Sequence, residues 1–237
     1  MSNKVTVDDI IWPCELGSSL KERLLSIGSI KQGVTSLGGT PKQPYSKYIC
    51  YLFEGIAILN SSSSETSTTI GGVIGPQSWF GVAGMDEAAR PDFTSEEVAP
   101  VGLIAFPHKL LLKLAEQDSE VFKFLFYIAQ SLLKKWTQAA VTSIHNKEMR
   151  IVFALLELLV LQHKKDDVIP SIKISQQQLS FLSGISRPRA NEVLKGLEIA
   201  EEIEIARGSL HIINLSKLAA RLNNLNVSIR DPRRFIK

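Results

Sequence analysis

The sequence predicts an α+β fold with a β-rich N-terminal half, a long central helix, and a small C-terminal domain that combines short helices with a β-hairpin. Three observations lead to this prediction. Short β-prone runs punctuated by Gly, Pro and Ser fill residues 30–107, residues 118–167 contain no Pro or Gly, and residues 174–198 form two short apolar-faced segments around Gly184. A chain of 237 residues is long enough for two domains.

Charge is unevenly distributed along the chain. Apolar residues make up 44% and charged residues 22%, a globular composition with a net charge of +3. Residues 146–237 hold 15 Lys and Arg against 10 Asp and Glu, a net of +5, which leaves 12 against 14, a net of −2, for residues 1–145. A basic C-terminal part suits a module that binds a polyanion, although random scatter would give the same imbalance.

Cysteine content and hydropathy bound the cellular context. The two cysteines, Cys14 and Cys50, form no CxxC pair, so we expect no zinc or iron–sulfur site built from cysteine. The N-terminal stretch MSNKVTVDDI lacks the basic start and apolar run of a signal peptide. The stretch IVFALLELLVLQ is too short for a membrane span and contains Glu157. We expect a cytoplasmic protein without a membrane partner.

The N-terminal half reads as one short helix followed by strands. The stretch GSSLKERLLSIGSI carries apolar residues near helical spacing, at Leu20, Leu24, Leu25 and Ile27. The runs KYICYLFEG, IAILN, STTIGGVIG and VGLIAFP are β-prone and separated by turn residues, which favours a compact β-sandwich or barrel. The polar stretch NSSSSETST is typical of an exposed hairpin tip.

The central part of the chain is helical. HKLLLKLAEQ predicts one helix, and the long run after it must be split near His145–Asn146 because it exceeds a typical globular helix. The first part, residues 118–145, carries an apolar stripe wide enough to pack on its own β-domain and on a second copy of the chain, so we expect a homodimer. A helix buried wholly within one chain is the alternative. The stripe comprises Phe122, Leu125, Phe126, Ala129, Leu132, Leu133 and Trp136.

The segment ISQQQLSFLSGISRPRANEVLKGLE predicts two short helices joined by a turn. Ser175 is a good N-cap for the first, and Gly184 permits the turn that ends it. Ser186 can cap the second, with Pro188 in its first turn. The buried sides are expected to be Leu179, Phe181 and Leu182 in the first helix and Ala190, Val193, Leu194 and Leu197 in the second. The second helix then turns outward Arg187, Arg189, Asn191, Glu192 and Lys195.

This pattern is that of a winged helix-turn-helix, whose second helix enters the DNA major groove N-terminus first. The N-terminal N–H groups favour a phosphate, and arginines there can bind phosphates or guanine edges. Two β-runs, 202–206 and 209–213, flank the turn signal at Gly208-Ser209 and predict the wing. Two amphipathic helices joined by a glycine also occur without any DNA-binding role.

The chain resembles the cyclic-AMP receptor protein / fumarate-nitrate regulator (CRP/FNR) family of transcription factors. The helix-turn-helix segment is similar to that family's signature almost end to end, YLFEGIAIL resembles its strand–turn–strand around a glycine, here Gly55, and GVIGPQSWFG resembles the entry to its cyclic-nucleotide cassette. The resemblance, over about residues 45–220, implies a β-roll sensor domain with a cyclic-nucleotide-binding-like jelly roll (1–117), a dimerisation helix (118–145) and a winged DNA-binding domain (146–237).

The resemblance also implies roles for single residues. Arg187, Pro188 and Glu192 match positions from which the family reads base edges. Pro188 stands where many members have a glutamate, and Glu192 where many have an arginine, so we expect a different half-site. The positions that match phosphate contacts are Ser175, Gln176, Gln177, Ser186 and Arg189, and Lys195 completes the expected DNA-binding set.

The cyclic-nucleotide cassette departs from the family's pattern. Members that bind cyclic nucleotides have a glutamate after the FG, where this chain has Val82, and an arginine for the cyclic phosphate, where PDFTSEEV has none. A buried phosphate needs such a cation. Arg90 could supply it only in a shifted register, and Asp92, Glu96 and Glu97 add negative charge. We therefore expect no cyclic AMP; the effector, if there is one, is an unidentified small molecule.

Other family sensors fit no better. Two cysteines are too few for an iron–sulfur sensor, and Cys50 is expected to be a packed small hydrophobe. Trp79 and Phe80 are expected in the core, with an apolar ligand pocket as the alternative. The histidines, expected on the surface or at caps rather than as haem ligands, are His108, His145, His163 and His211.

The sequence thus predicts a homodimeric, sequence-specific transcriptional regulator, not an enzyme, whose partners are double-stranded DNA with a palindromic operator and RNA polymerase. One rival is a cupin-like metal enzyme, which would need histidines on barrel strands, and residues 30–107 contain none. The other rival is a scaffold module whose winged domain contacts protein instead of DNA. Two arginines at a capped helix start argue against it.

Overall fold

The computed structural model describes residues 5–34, 47–63, 68–85, 93–163 and 169–236. The chain divides into two compact units. The first consists of residues 1–57 and 74–133, and the second of residues 58–73 and 134–237. The polar hairpin tip expected in NSSSSETST falls partly outside the described residues.

The first unit is built on an antiparallel sheet. Its strands are β1 (Ser29–Gln32), β2 (Tyr48–Ser63), β3 (Thr68–Ile74), β4 (Ser78–Phe80) and β5 (Phe93–Pro107). The order is β1-β5-β2-β3, with β4 paired to β2. Residues 58–63 of β2 and 68–73 of β3 are counted in the second unit. Ser29 pairs with Ala105, and Cys50 with Phe80. Two predicted runs, KYICYLFEG and IAILN, form the single strand β2.

Gly55, the glycine within β2, is required by its surroundings. Its φ of 84° lies in the left-handed region, and a Cβ built there would lie 2.0 Å from the carbonyl oxygen of Pro100. Any side chain would therefore collide with β5 while also straining the backbone. The glycine that the sequence singled out thus lies where two strands approach each other closely.

Trp79 is at the centre of an aromatic cluster in the core of the first unit. Its ring centroid lies 4.9 Å from that of Tyr51, 5.0 Å from Phe124, 5.5 Å from Phe106 and 5.7 Å from Trp12. Its indole N–H, like most buried indole donors, has a partner, the carbonyl oxygen of Ile11 at 2.8 Å. Trp79 and Phe80 are both buried, which confirms their expected place in the core. Cys50 is fully buried, which confirms that it is a packed small hydrophobic residue.

In chain order, one helix precedes the strands of the first unit and another follows them. α1 (Ser18–Ile27) buries Leu20 and Leu24, as expected. α2 (His108–Ala115) follows β5 directly. His108 corrects an expectation, because it is buried rather than at the surface, and burial lowers the pKa of its imidazole.

The long helix α3 (Glu120–Ser143) has two apolar faces. One face is buried and comprises Val121, Phe124, Leu125 and Ile128. On the other, Phe122, Phe126 and Leu133 are 57%, 61% and 67% exposed. The next helix, α4 (Lys147–Gln162), begins after Asn146, whose side chain accepts a hydrogen bond from the backbone N–H of Met149. The predicted break near His145–Asn146 is confirmed.

The second unit packs short helices and a small sheet around α4. The elements after α4 are β6 (Ser171–Lys173), α5 (Gln176–Ser183), α6 (Arg187–Ile199), β7 (Ile203–Ala206), β8 (Ser209–Ile212) and α7 (Leu215–Ala220). The sheet order is β6-β8-β7, with antiparallel pairs. α4 buries most of its length, including Ile151, Leu155, Leu156 and Leu159.

The C-terminal segment, residues 221–236, folds back onto α4 and the end of α3. The side chain of Gln138, 1% exposed, donates to the carbonyl oxygen of Asn226 at 2.8 Å and accepts from the backbone N–H of Arg230 at 3.2 Å. Arg230 Nε donates to Glu157 Oε1 at 2.8 Å. One amide from α3 and one carboxylate from α4 thus fix the same segment.

Candidate nucleic-acid interface

α5 begins and ends where the sequence predicts. The Ser175 hydroxyl accepts from the N–H of Gln178 at 3.1 Å, and the Gln178 side chain accepts from the N–H of Ser175 at 2.9 Å. This reciprocal capping box satisfies two N–H groups that have no partner inside the helix. Gly184 ends the helix with φ 62° and ψ 32°, the left-handed conformation that glycine adopts without steric cost.

α6 begins at the predicted residue, although its cap differs. Ser186 occupies the N-cap position, but its hydroxyl makes no capping hydrogen bond, which corrects the expected role of that side chain. Pro188 is the second residue of the helix, where no backbone N–H is needed. The buried face is the predicted one and comprises Ala190, Val193, Leu194 and Leu197. The remaining N–H groups at the start of α6 are therefore available to an anion.

Most of the predicted contact residues are exposed. Gln176 is half-buried, and the others, all exposed, are Ser175, Gln177, Ser186, Arg187, Pro188, Arg189, Glu192 and Lys195. Two residues depart from the predicted faces. Asn191, expected to point outward, is half-buried, and its Oδ1 is buried without a hydrogen-bond partner. Phe181, expected on the buried side of α5, is also half-buried.

The predicted wing is present as the β7–β8 hairpin. Ile203 pairs with Ile212 and Ala206 with Ser209, and Gly208 makes the turn with φ 78°. Arg207, next to that glycine, is exposed. The sequence analysis did not single out Arg207, although a cation beside a hairpin glycine is a recognisable sequence signal.

A groove of about 350 Å³ is lined by residues of α5, α6 and the β7–β8 hairpin. Its walls include Gln176 and Gln177 at the start of α5, Arg187 at the start of α6, and Arg207 at the wing. Two guanidinium groups and two amides thus line one concave surface. Donors of this kind bind phosphate oxygens well.

Arg150 of α4 holds the turn between the two helices. Its Nε and Nη2 donate to the carbonyl oxygen of Ser183 at 3.0 and 2.6 Å, and Nη2 also donates to that of Gly184 at 3.0 Å. The cation lies at the C-terminus of α5, where the helix dipole is negative. Burial lowers the pKa of this guanidinium, which nevertheless stays charged. Arg150 therefore anchors the turn between α5 and α6 to α4.

Glu192 is paired within the chain. Its Oε2 lies 2.6 Å from Nζ of Lys147, the first residue of α4. The hydrogen bond from Lys147 holds the pKa of the carboxyl below its ordinary value, so Glu192 is ionised at neutral pH. The pair removes part of the repulsion that an exposed carboxylate would exert on a phosphate.

Arg221 ties the wing to α4. It binds Glu202 through Nε at 2.8 Å and Nη2 at 2.7 Å, and Glu148 of α4 through Nη1 at 2.6 Å. Glu202 is 4% exposed, and the bidentate contact from Arg221 satisfies its carboxylate. Glu202 directly precedes β7, so this contact fixes where the wing begins.

The region that resembles the nucleotide cassette carries structural contacts. Val82 begins a one-turn helix (Val82–Met85) and packs against the hydrophobic core of the first unit. Glu97 accepts from the backbone N–H groups of Val34 at 2.8 Å and Val101 at 3.2 Å. Arg90 and Asp92 lie outside the described residues. Within the described ranges, no group of three or more His, Cys, Asp or Glu side chains is placed to hold a metal ion.

None of the helices described is long and apolar enough to cross a membrane.

Comparisons with known proteins give the fold. No family model matches the sequence, and no curated protein is significantly similar to it. Among solved structures, the c-di-GMP-responsive global regulator CLP of Xanthomonas campestris matches with a TM-score of 0.62 at 19% identity, over 83% of this chain and 99% of that one. A CRP/FNR-family regulator from Thermus thermophilus matches with a TM-score of 0.57 at 18% identity, over 81% and 92%.

A third match, a transcriptional regulator of the CRP/FNR family from Eubacterium rectale, has a TM-score of 0.65 at 11% identity and covers 86% of this chain and 94% of that one. The chain therefore has the fold of the CRP/FNR regulators. The resemblance drawn from the sequence is confirmed at the level of the fold.

Proposed function

We propose that this chain, which has the fold of the CRP/FNR transcriptional regulators, is itself a DNA-binding transcriptional regulator that acts as a homodimer on a palindromic operator. One observation carries the proposal: exposed Arg187 at the start of α6 and exposed Arg207 at the wing line one groove with the amides of Gln176 and Gln177. Cationic groups and amides in such a surface bind the phosphate backbone and the base edges of DNA.

The contact residues divide into two classes. Arg187, Pro188 and Glu192 lie on the exposed side of α6 and face bases when the helix enters the major groove. Arg187 is the residue best suited to guanine, because a guanidinium can bind O6 and N7 together. The remaining proposed contacts go to phosphates and comprise Ser175, Gln176, Gln177, Ser186, Arg189, Lys195 and Arg207.

Dimerisation is proposed through the exposed face of α3. Phe122, Phe126, Ala129, Leu133 and Trp136 follow one another at intervals of four, three, four and three residues. This is the spacing of a coiled-coil seam, in which the same face of two helices meets. Two copies of α6 would then be presented to two half-sites, as a palindromic operator requires.

The sensor function is proposed to use something other than a cyclic nucleotide. Val82 packs against the core of the first unit and offers no carboxylate to a ribose. CLP is described as responsive to c-di-GMP, and that property belongs to CLP. An unidentified small-molecule effector and contact with RNA polymerase complete the proposal, which includes no catalytic activity.

Selection of binding sites from random DNA tests the proposed function. The dimer should enrich an inverted repeat whose half-sites are centred about 10 base pairs apart, or a multiple of that distance. Affinity for the selected site should exceed that for scrambled DNA by on the order of 10³-fold or more, and both should fall steeply with salt. Failure to enrich any motif would favour the scaffold alternative instead.

A further inference from the structure

The second unit contains a small cavity that the proposed DNA-binding role does not use. Its volume is about 50 Å³, which is room for about four water molecules or one small oxyanion. The walls come from β3, the end of α3, α4, the end of α5 and the C-terminal segment. The polar lining residues are Lys135, Thr142, Ser143, Arg150, Glu157 and Arg230.

The charges around this cavity do not cancel. Lys135, Arg150 and Arg230 contribute three positive charges and Glu157 one negative charge, which leaves a net of +2 among the lining residues. The single carboxylate is engaged, because Glu157 Oε1 accepts from Arg230 Nε at 2.8 Å. Excess charge of one sign in a partly buried site is costly unless a counter-charge enters.

The ionisation of Lys135 reflects this excess. Burial, followed by the repulsion from Arg230, lowers the pKa of its ammonium group, and attraction to Glu157 only partly offsets them. The neighbouring hydroxyls do not compete for the cavity, because Thr142 donates to the carbonyl oxygen of Gln138 and Ser143 to that of Ala140. An anion would therefore be bound by the cations rather than by the hydroxyls.

The glycine pair in β3 leaves the cavity open on one side. At Gly71 the strand approaches α5 so closely that a Cβ would lie 2.1 Å from the carbonyl oxygen of Leu182. At Gly72 a Cβ would have no neighbour within 4 Å. Within the second unit, the strand thus contacts α5 tightly at Gly71 and leaves free space at Gly72.

We infer that this cavity binds a small oxyanion of the phosphate class, either as free phosphate or as the phosphoryl group of a metabolite. Lys135 and Arg230 would bind its oxygens by charge-assisted hydrogen bonds, with Arg150 adding its charge from the α5–α6 turn. The bound anion would hold α4, the turn and the C-terminal segment together, so occupancy stabilises the second unit. This site is separate from the exposed arginines of α6 and does not depend on the proposed function.

Thermal unfolding of the full chain in inorganic phosphate, at constant ionic strength with chloride as the replaced anion, tests the inference. The melting temperature should rise with phosphate concentration and saturate, since a ligand that binds only the folded state stabilises it. Lys135→Met should raise the apparent Kd by about tenfold or more, and Lys135→Arg should retain the response. The matched control is Lys134→Met, which removes the adjacent exposed lysine and should bind phosphate as the unchanged chain does.

Two further arms exclude other sources of the signal. Arg187→Ala should leave the phosphate response intact, which separates this cavity from the arginines of α6. Ribose 5-phosphate used in place of phosphate distinguishes a metabolite from the free ion: tighter binding would identify the occupant as a phosphoryl group. No phosphate-dependent rise, or a rise that Lys135→Met retains in full, would overturn the inference, as would a response abolished by Arg187→Ala.

Discussion

Arg221 shows how one side chain holds elements of the second unit together. Its guanidinium satisfies Glu202, a carboxylate that is 4% exposed, and reaches Glu148 on α4 as well. A buried carboxylate that loses its partner keeps its desolvation cost and gains nothing in return. The pair therefore matters more for what its loss would leave behind than for its own attraction.

Arg221→Met should lower the free energy of unfolding by about 2–3 kcal/mol, because Glu202 would remain buried without its bidentate donor. This loss of stability is smaller than for a fully buried ion pair, because the Arg221 side chain is 27% exposed. Urea denaturation measures the change. Arg234→Met, an exposed control in the same segment, should stay within about 0.5 kcal/mol of the parent. An equal effect of both variants would refute the assigned role.

Residues whose role is local could be predicted from the sequence, and those whose role depends on distant partners could not. Ser175 caps the start of α5 and Gly184 ends it, through hydrogen bonds and torsions within a few residues. Their positions could therefore be predicted from residue type and spacing. Arg150 acts on carbonyl groups more than thirty residues away, and nothing in its local sequence marks it. His108 was misplaced because its burial depends on how β5 leads into α2.

The helix α3 exposes a row of large apolar side chains on one face. Its buried face was not separable from its exposed face in the sequence, because the stripe from Phe122 to Trp136 mixes both. The structure separates them: Leu125 is 8% exposed, while Phe126, the next residue, is 61% exposed. An exposed row of large apolar side chains on one helix is costly in water unless another surface covers it.

Phe126→Glu should convert the dimer to a monomer, because a carboxylate buried in the middle of the seam would be desolvated without a partner. Light scattering at micromolar concentration measures the mass. Ser131→Glu adds the same charge at an exposed position of α3 outside the seam and should remain dimeric. A parent chain that is already monomeric would contradict the proposed dimer.

The C-terminal segment could not be assigned from the sequence. Its anchors are Gln138 on α3 and Glu157 on α4, both far away in the chain. Residues Leu222, Leu225 and Pro232 are buried, so the segment is a structural element of the second unit. Long-range hydrogen bonds of this kind leave no periodic pattern for sequence analysis to detect.

At the scale of the whole molecule, the proposed function assigns sensing and DNA binding to different parts of the chain. The residues that resemble the cyclic-nucleotide cassette do not suit the family's usual ligand. Val82 packs against the hydrophobic core and has no carboxylate, and Glu97 accepts hydrogen bonds from two backbone N–H groups.

Cyclic AMP and cyclic GMP should therefore show no binding at micromolar concentrations in titration calorimetry. The physical reason is that PDFTSEEV offers no cation to a phosphate that would have to be buried. Micromolar affinity for either nucleotide would contradict this expectation and would implicate Arg90, which Arg90→Ala could then verify.

We propose that α6 reads base edges in the major groove through Arg187. Arg189, two residues further, points about 200° away around the helix and should contact the phosphate backbone instead. Removing each side chain should therefore impair DNA binding in a different way. Both side chains are exposed, so neither change should shift the melting temperature much.

The most direct measurement is site selection and binding for both alanine variants at two salt concentrations. Arg187→Ala should lose about 1–3 kcal/mol on the parent's selected site and lose discrimination at one base pair in each half-site. Arg189→Ala should keep the motif, weaken binding to all sequences about equally, and reduce the salt slope by roughly one unit per half-site. If Arg187→Ala selects the same motif as the parent with the same discrimination, α6 does not read DNA in the way described.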